Sequence, residues 1–306
     1  MVFDVKPSAQ WERILENWVT EDAAADLSNF KSDTRNYNLA LWNPEVNGVR
    51  YFKTLVYNIA SGLDQEDWTR LRNIQNRKIG NPITVRVNGE SVDLDYLQAV
   101  LELGFIQPHV DLQGARVMEI GAGYGRTAHT MLSNYDLAEY WIVDLTNTLR
   151  LSRAYLREVL DDAQYAKMRF VDVADLGQVI QAPGFELCIN IHSMTEMVPQ
   201  TVRDYLDLID KKCTAFYVKN PVGKFLDKQL DGHHKGSEAV HAALQSGPIR
   251  NVLDIFDSEA IEAAVPGYLD VYRPSDNWSC VADARAYPLS YFWQALYQKS
   301  PQGPAA

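Results

Sequence analysis

Met118-Glu119-Ile120-Gly121-Ala122-Gly123-Tyr124-Gly125 drives an apolar run into three glycines at alternate positions, and Arg126–Leu132 can continue from it as a helix. Glycine permits backbone conformations that a Cβ would block, and a helix start presents unbonded N–H groups. A strand, a glycine turn and a helix in this order therefore predict a ligand lying close against main chain. The dinucleotide fingerprint G-x-G-x-x-G needs a small residue at position 126, and this chain has Arg126 there. It reads acid-x-Gly-x-Gly-x-Gly instead, with Glu119 closing the strand.

A carboxylate at that place repels a pyrophosphate but attracts an ammonium or a sulfonium. The expected cofactor is S-adenosylmethionine, contacted by Glu119, Gly121, Ala122, Gly123 and Gly125. Further along, Trp141–Leu145, Met168–Val173, Leu187–Ile191 and Ala215–Lys219 join Arg116–Ile120 as predicted buried strands. Helical spacing between them, as in Val198, Val202, Tyr205 and Ile209, predicts a parallel sheet with helices on both faces. Asp144 ends the second strand, where an acid can accept two ribose hydroxyls, with Leu145 beside it. That position serves a dinucleotide as well, so it does not choose the cofactor. Asp172 and Val173 end the third strand; the resemblance of the glycine stretch to class I methyltransferases implies adenine contact there, the alternative for Asp172 being a helix cap or loop acid.

After the fourth strand comes Asn190-Ile191-His192-Ser193-Met194-Thr195-Glu196-Met197. It lacks the Asn-Pro-Pro-aromatic signature of amino-group methylation, which leaves oxygen as the expected acceptor. The glycine stretch closely resembles motif I of class I methyltransferases. Together with Gly80-Asn81-Pro82 and the Ser193…Glu196-Met197 ending, it makes residues 75 to 220 resemble a sugar O-methyltransferase family of bacterial natural-product and polysaccharide pathways. The resemblance implies a Rossmann-like class I methyltransferase sheet, a cofactor site that includes Asn190, and transfer of a methyl group to a hydroxyl of a sugar or glycosylated natural product. Its rivals are a hydroxyl of a polyketide or phenolic compound, and a non-catalytic protein that binds S-adenosylmethionine. A sugar hydroxyl needs a general base. His192 and Glu196, just past strand four, are the first candidates, and His233 and His234 in a polar segment are the second. No metal-ligand spacing stands out.

The remaining sequence sets bounds. Among 306 residues, 46% are hydrophobic and the net charge is −11, which fits a folded protein and disfavours nucleic acid as partner. No apolar run is long enough to span a bilayer, the N-terminus does not read as a signal peptide, and three spaced cysteines fit a reducing cytoplasm. Residues 1–110 read as a mainly helical N-terminal domain. Trp11, Ile14, Leu15 and Trp18 lie at helical spacing, a hairpin spans Ile83–Val92 around Asn88-Gly89, and Asp93 opens a helix bearing Leu94, Leu97, Val100 and Leu101. Its aromatic residues could support a homo-oligomer. Residues 111–300 are the expected cofactor domain, with a lid-like insertion near 221–250. The chain closes with Tyr268–Tyr272 and an aromatic segment, Tyr291–Tyr297, whose alternation favours a strand.

Overall fold

The structure, a computed structural model, describes residues 7–232 and 235–300, and the chain divides into two units. The first comprises residues 1–61 and 84–91. It contains helices α1 (Ala9–Asn17), α2 (Thr34–Leu39) and α3 (Gly48–Ser61) and most of a hairpin, β1 (Val85–Val87) and β2 (Glu90–Val92). Asn88 and Gly89 take φ of 51° and 81°, the two positive values that a two-residue turn requires. Of the apolar stripe on α1 only Ile14 is buried, while Trp11 and Leu15 remain exposed.

The second unit, residues 62–83 and 92–306, opens with α4 (Gln65–Asn73) and α5 (Leu94–Ile106). Asp93 caps α5 by accepting from the Tyr96 amide, and Leu97, Val100 and Leu103 form its buried face. The sheet strands follow, alternating with helices: β3 (Arg116–Ile120), α6 (Arg126–Asn134), β4 (Glu139–Asp144), α7 (Thr146–Val159), α8 (Asp162–Ala166), β5 (Met168–Asp172), α9 (Gly177–Gln181), β6 (Phe185–Ile191), α10 (Pro199–Lys212) and β7 (Cys213–Pro221). Helices α11 (Lys228–Asp231), α12 (Ser237–Gln245) and α13 (Ser258–Val271) precede β8 (Trp278–Arg285) and β9 (Phe292–Lys299).

The sheet runs β5-β4-β3-β6-β7-β9-β8, with β3 to β7 parallel and β9 antiparallel to both neighbours. The two-residue period of a strand sorts its side chains onto two buried faces. Met118, Cys188 and Phe216 lie on one side, and Val117, Leu187, Ala215 and Tyr217 on the other. All five predicted parallel strands form, and the aromatic closing segment is the strand β9. Tyr268 and Tyr272 end α13 instead, four apart and both buried, because their spacing fits one helix face. Strand β8, an edge strand with burial at alternate residues, had no reading in the sequence. The polar segment after β7 folds into α11 and α12, and Val222 and Lys224 within it are buried.

Candidate active site

The carboxyl ends of β3, β4 and β6 open onto a cavity of about 580 Å³. Its floor is the glycine turn. Gly121 takes a φ of 76°, and a Cβ there would lie 2.1 Å from Ser193 Oγ and 2.4 Å from Ser193 Cβ. Only a residue without a side chain lets the two loops touch. Ser193 Oγ donates to the Ile120 carbonyl (3.1 Å), and the Asn190 amide donates to both the same carbonyl (2.9 Å) and Ser193 Oγ (2.6 Å). The glycine stretch and the Asn190–Met197 stretch, 70 residues apart in the chain, are thus bolted together at the end of β3.

Asp144 stands on the opposite wall. Its Oδ2 accepts from the Gly123 amide at 3.1 Å and its Oδ1 from the Leu145 amide at 2.7 Å. Burial raises its pKa, and the amides of Leu145 and Gly123 oppose that rise. Leu145, Val173, Met197, Thr201 and Tyr205 complete an apolar flank that ends in two hydroxyls.

His192 and Glu196 line the remaining side, and both are exposed. His192 has a φ of 66°, uncommon for a residue with a Cβ, and its amide donates to the Lys219 carbonyl at 2.8 Å. This left-handed residue breaks β6 into the short helical turn Ser193–Glu196. Partial desolvation lowers the imidazole pKa; Glu196 opposes that shift, while Lys219, Lys224 and Lys235 reinforce it. Thr195 is held from behind, its carbonyl accepting from Lys224 Nζ (3.0 Å) and Ser246 Oγ (3.2 Å).

Seven of the residues expected in the site line this cavity: Gly121, Gly123, Asp144, Leu145, Val173, His192 and Glu196. Five do not. Glu119 is 2% exposed and accepts from the Tyr140 hydroxyl at 2.7 Å. Burial raises its pKa to about 7, against that hydrogen bond. The direct contact expected between Glu119 and a cationic ligand is therefore corrected to a buried carboxyl beneath the turn. Asp172 accepts from Thr146 Oγ and from the Ala174 amide, bonds that lower its pKa, and it lines a separate surface cleft. It is the cap of a short helical turn, so the adenine contact gives way to the alternative reading. Asn190 shapes the wall without facing the cavity, Ala122 lies in the turn behind Asp144, and Gly125 packs against Leu156. His233 and His234 lie outside the described residues.

Several residues escaped the sequence reading. Thr201 and Tyr205 share a face of α10, and only the four-residue offset hinted at it. Beneath the site, Glu102 on α5 binds Lys219 (2.7 Å) and Arg126 (3.0 Å), all three side chains being buried or nearly so. Burial alone would raise Glu102, but the two cations outweigh it and hold the carboxyl below its ordinary value. Arg126 thus occupies its place for an ion pair. A lysine closing the apolar run Ala215–Lys219 was the one sequence signal of a buried partner. Among the described residues, no cluster of three His, Cys, Asp or Glu could hold a metal, and no helix is long and apolar enough to cross a membrane.

A glycine turn after the first strand, an acid at the end of the second, and an antiparallel strand inserted beside the sheet's far edge define the class I S-adenosylmethionine-dependent methyltransferase fold. The dinucleotide fold, by contrast, has six parallel strands. Among solved structures, the chain is similar to the methyltransferase domain of a bacterial CtHen1, at 10% identity and a TM-score of 0.45, over 66% of this chain and 96% of that one. It is similar to the mitomycin 7-O-methyltransferase MmcR at 12% identity and a TM-score of 0.42, over 89% and 70%. It is also similar to M. capricolum TrmK, solved with S-adenosylhomocysteine, at 9% identity and a TM-score of 0.37, over 64% and 67%. No protein-family model matches the chain, and neither does any curated protein.

Proposed function

We propose that the protein transfers a methyl group from S-adenosylmethionine to a hydroxyl of a small-molecule acceptor. The observation that carries this reading is Asp144 clasping the glycine turn at the edge of the cavity: its two oxygens take the Gly123 and Leu145 amides and keep lone pairs for ribose hydroxyls. The open main chain at Gly121 and Gly123 fits the methionyl part, and Leu145, Val173 and Met197 fit the adenine. When bound, the cofactor supplies an electrophilic methyl carbon on a sulfonium.

The chain's own task is to orient the acceptor and remove its proton. His192 suits proton removal because its surroundings disfavour the imidazolium, leaving a neutral ring nitrogen free to accept near neutrality. Glu196, on the turn that His192 begins, shares the same rim and can stabilise the charge His192 acquires. The acceptor need not be a sugar. Apolar Ile191 and Met197 stand beside His192 and Glu196 on this side, which favours a less polar hydroxyl than a sugar's.

Calorimetric titration of S-adenosylmethionine and of NADH tests the cofactor. The expected result is binding of the first, weakened in Asp144→Ala, with no NADH signal; NADH binding alone would overturn the proposal. For the chemistry, His192→Ala should lose methyl transfer to an acceptor panel by about a hundredfold or more while keeping cofactor affinity. Unchanged turnover in both His192→Ala and Glu196→Gln would remove the base from these residues.

A further inference from the structure

Four rings touch in series where β6 and β7 end and β9 begins, two of the contacts tilted and one T-shaped. His192 and Phe292 have centroids 5.2 Å apart, Phe292 and Tyr291 5.1 Å, and Tyr291 and Phe225 4.9 Å. Lys235 closes the series, its ammonium 5.5 Å from the Phe225 centroid. Only Phe292 is buried; Phe225 and Tyr291 are half-buried, and His192 and Lys235 are exposed. Tyr291 packs against the core of the sheet, and outward from it the series ends in an exposed cation.

Charge reinforces the point. The chain carries a net −11, yet Lys219, Lys224 and Lys235 all act on the His192 ring, with Glu196 opposing them. Lys219 is neutralised by Glu102, and Lys224 is buried with its ammonium on Thr195, so Lys235 is the exposed cation of the three. A molecule whose hydroxyl reached His192 would lie along rings and have a positive charge at its far side.

We infer that this rim recognises a hydroxylated aromatic carboxylic acid, the ring lying along Phe225 and Tyr291 and the carboxylate drawn to Lys235, with the hydroxyl offered to His192. The inference rests on the methyl-transfer reading and narrows its acceptor. Rings attract a planar π system through offset or edge contacts. A lysine already placed over one ring can meet a carboxylate without moving into an apolar site. A sugar would find few partners along this edge, and a neutral phenol would leave the lysine unused.

The test uses the full chain saturated with S-adenosylhomocysteine, titrated calorimetrically with 3,4-dihydroxybenzoate, catechol and glucose. The acid should bind about tenfold more tightly than catechol, and glucose should give no signal. Lys235→Glu should erase the preference for the acid, and Phe225→Ala should weaken acid and catechol alike, with S-adenosylhomocysteine affinity unchanged in both variants. Equal binding of acid and catechol, a preference that survives Lys235→Glu, or no binding of either by protein that holds S-adenosylhomocysteine would overturn the inference. Failure to bind S-adenosylhomocysteine would count against the methyl-transfer reading itself.

Discussion

Ser193 sits in the space that a side chain at Gly121 would fill: a Cβ on Gly121 would lie 2.4 Å from the Ser193 Cβ. Rotating the serine hydroxyl cannot relieve that overlap, because the clashing atom is fixed to the backbone. Gly121→Ala should therefore cost roughly 2 to 5 kcal/mol, combining a left-handed φ with overpacking. Gly123→Ala is the control. Its φ is also positive, at 58°, but nothing lies within 4 Å of the added atom, so about 1 kcal/mol is expected. Urea denaturation of the two variants measures the difference, and equal losses would mean that the Gly121–Ser193 contact has no structural consequence.

Two strand-end acids should behave differently. Asp144 faces the cavity and Asp172 faces a separate cleft. Asp144→Asn should weaken S-adenosylhomocysteine binding by about tenfold to a hundredfold, the range for hydrogen bonds to a charged group. Asp172→Asn should change it by less than about twofold. A comparable loss in Asp172→Asn would return that residue to the cofactor site.

Glu119 makes stability depend on pH in a defined direction. Its ordinary pKa is 4.5 and burial raises it to about 7, so the folded state binds the proton more tightly than the unfolded chain does. The resulting stabilisation is complete below pH 4.5 and is lost as pH rises through 7. Glu119→Gln cannot ionise and should be more stable than the parent at pH 8 by up to roughly 3 kcal/mol, the gap closing towards about pH 4.5. Parallel stability curves across this window would show that the carboxyl titrates as it does in the unfolded chain.

Removing Lys219 leaves Glu102 buried with one cation instead of two. Lys219→Met should cost about 3 kcal/mol in chemical denaturation, and adding Glu102→Gln should recover part of it. Glu102 is held below its ordinary pKa, so its contribution is present above that value and lost as pH falls through the folded one. If the double variant is no more stable than Lys219→Met, the carboxylate is not the group left unpaired.

The sequence alone determined the elements. Runs of apolar residues cannot stay in water: short continuous runs read as strands for β3 to β7, helical spacing read α5 and α10, and alternation favoured a strand over a helix for β9. Asn88-Gly89 placed the hairpin turn, and the glycines after Glu119 placed the turn that lines the cavity, because local backbone sterics decide both. Strand β8 was hidden because an edge strand needs burial on only one side, so its apolar signal is weak.

Tertiary structure decided which side chains face the cavity. Asp144 ends β4 and Glu119 stands one residue before the end of β3, both beside the glycine turn, yet Glu119 is enclosed with Tyr140 and Asp144 is open to the cavity. Sequence places strand ends only to within about 2 to 4 residues, and one residue's difference turns a side chain to the opposite face. The partners of Arg126, Lys219 and Lys224, and the row of rings from His192 to Phe225, come from segments far apart in the chain. No local pattern encodes such meetings. They exist because packing two buried faces of one sheet leaves each of these groups a single place where its charge or ring is met.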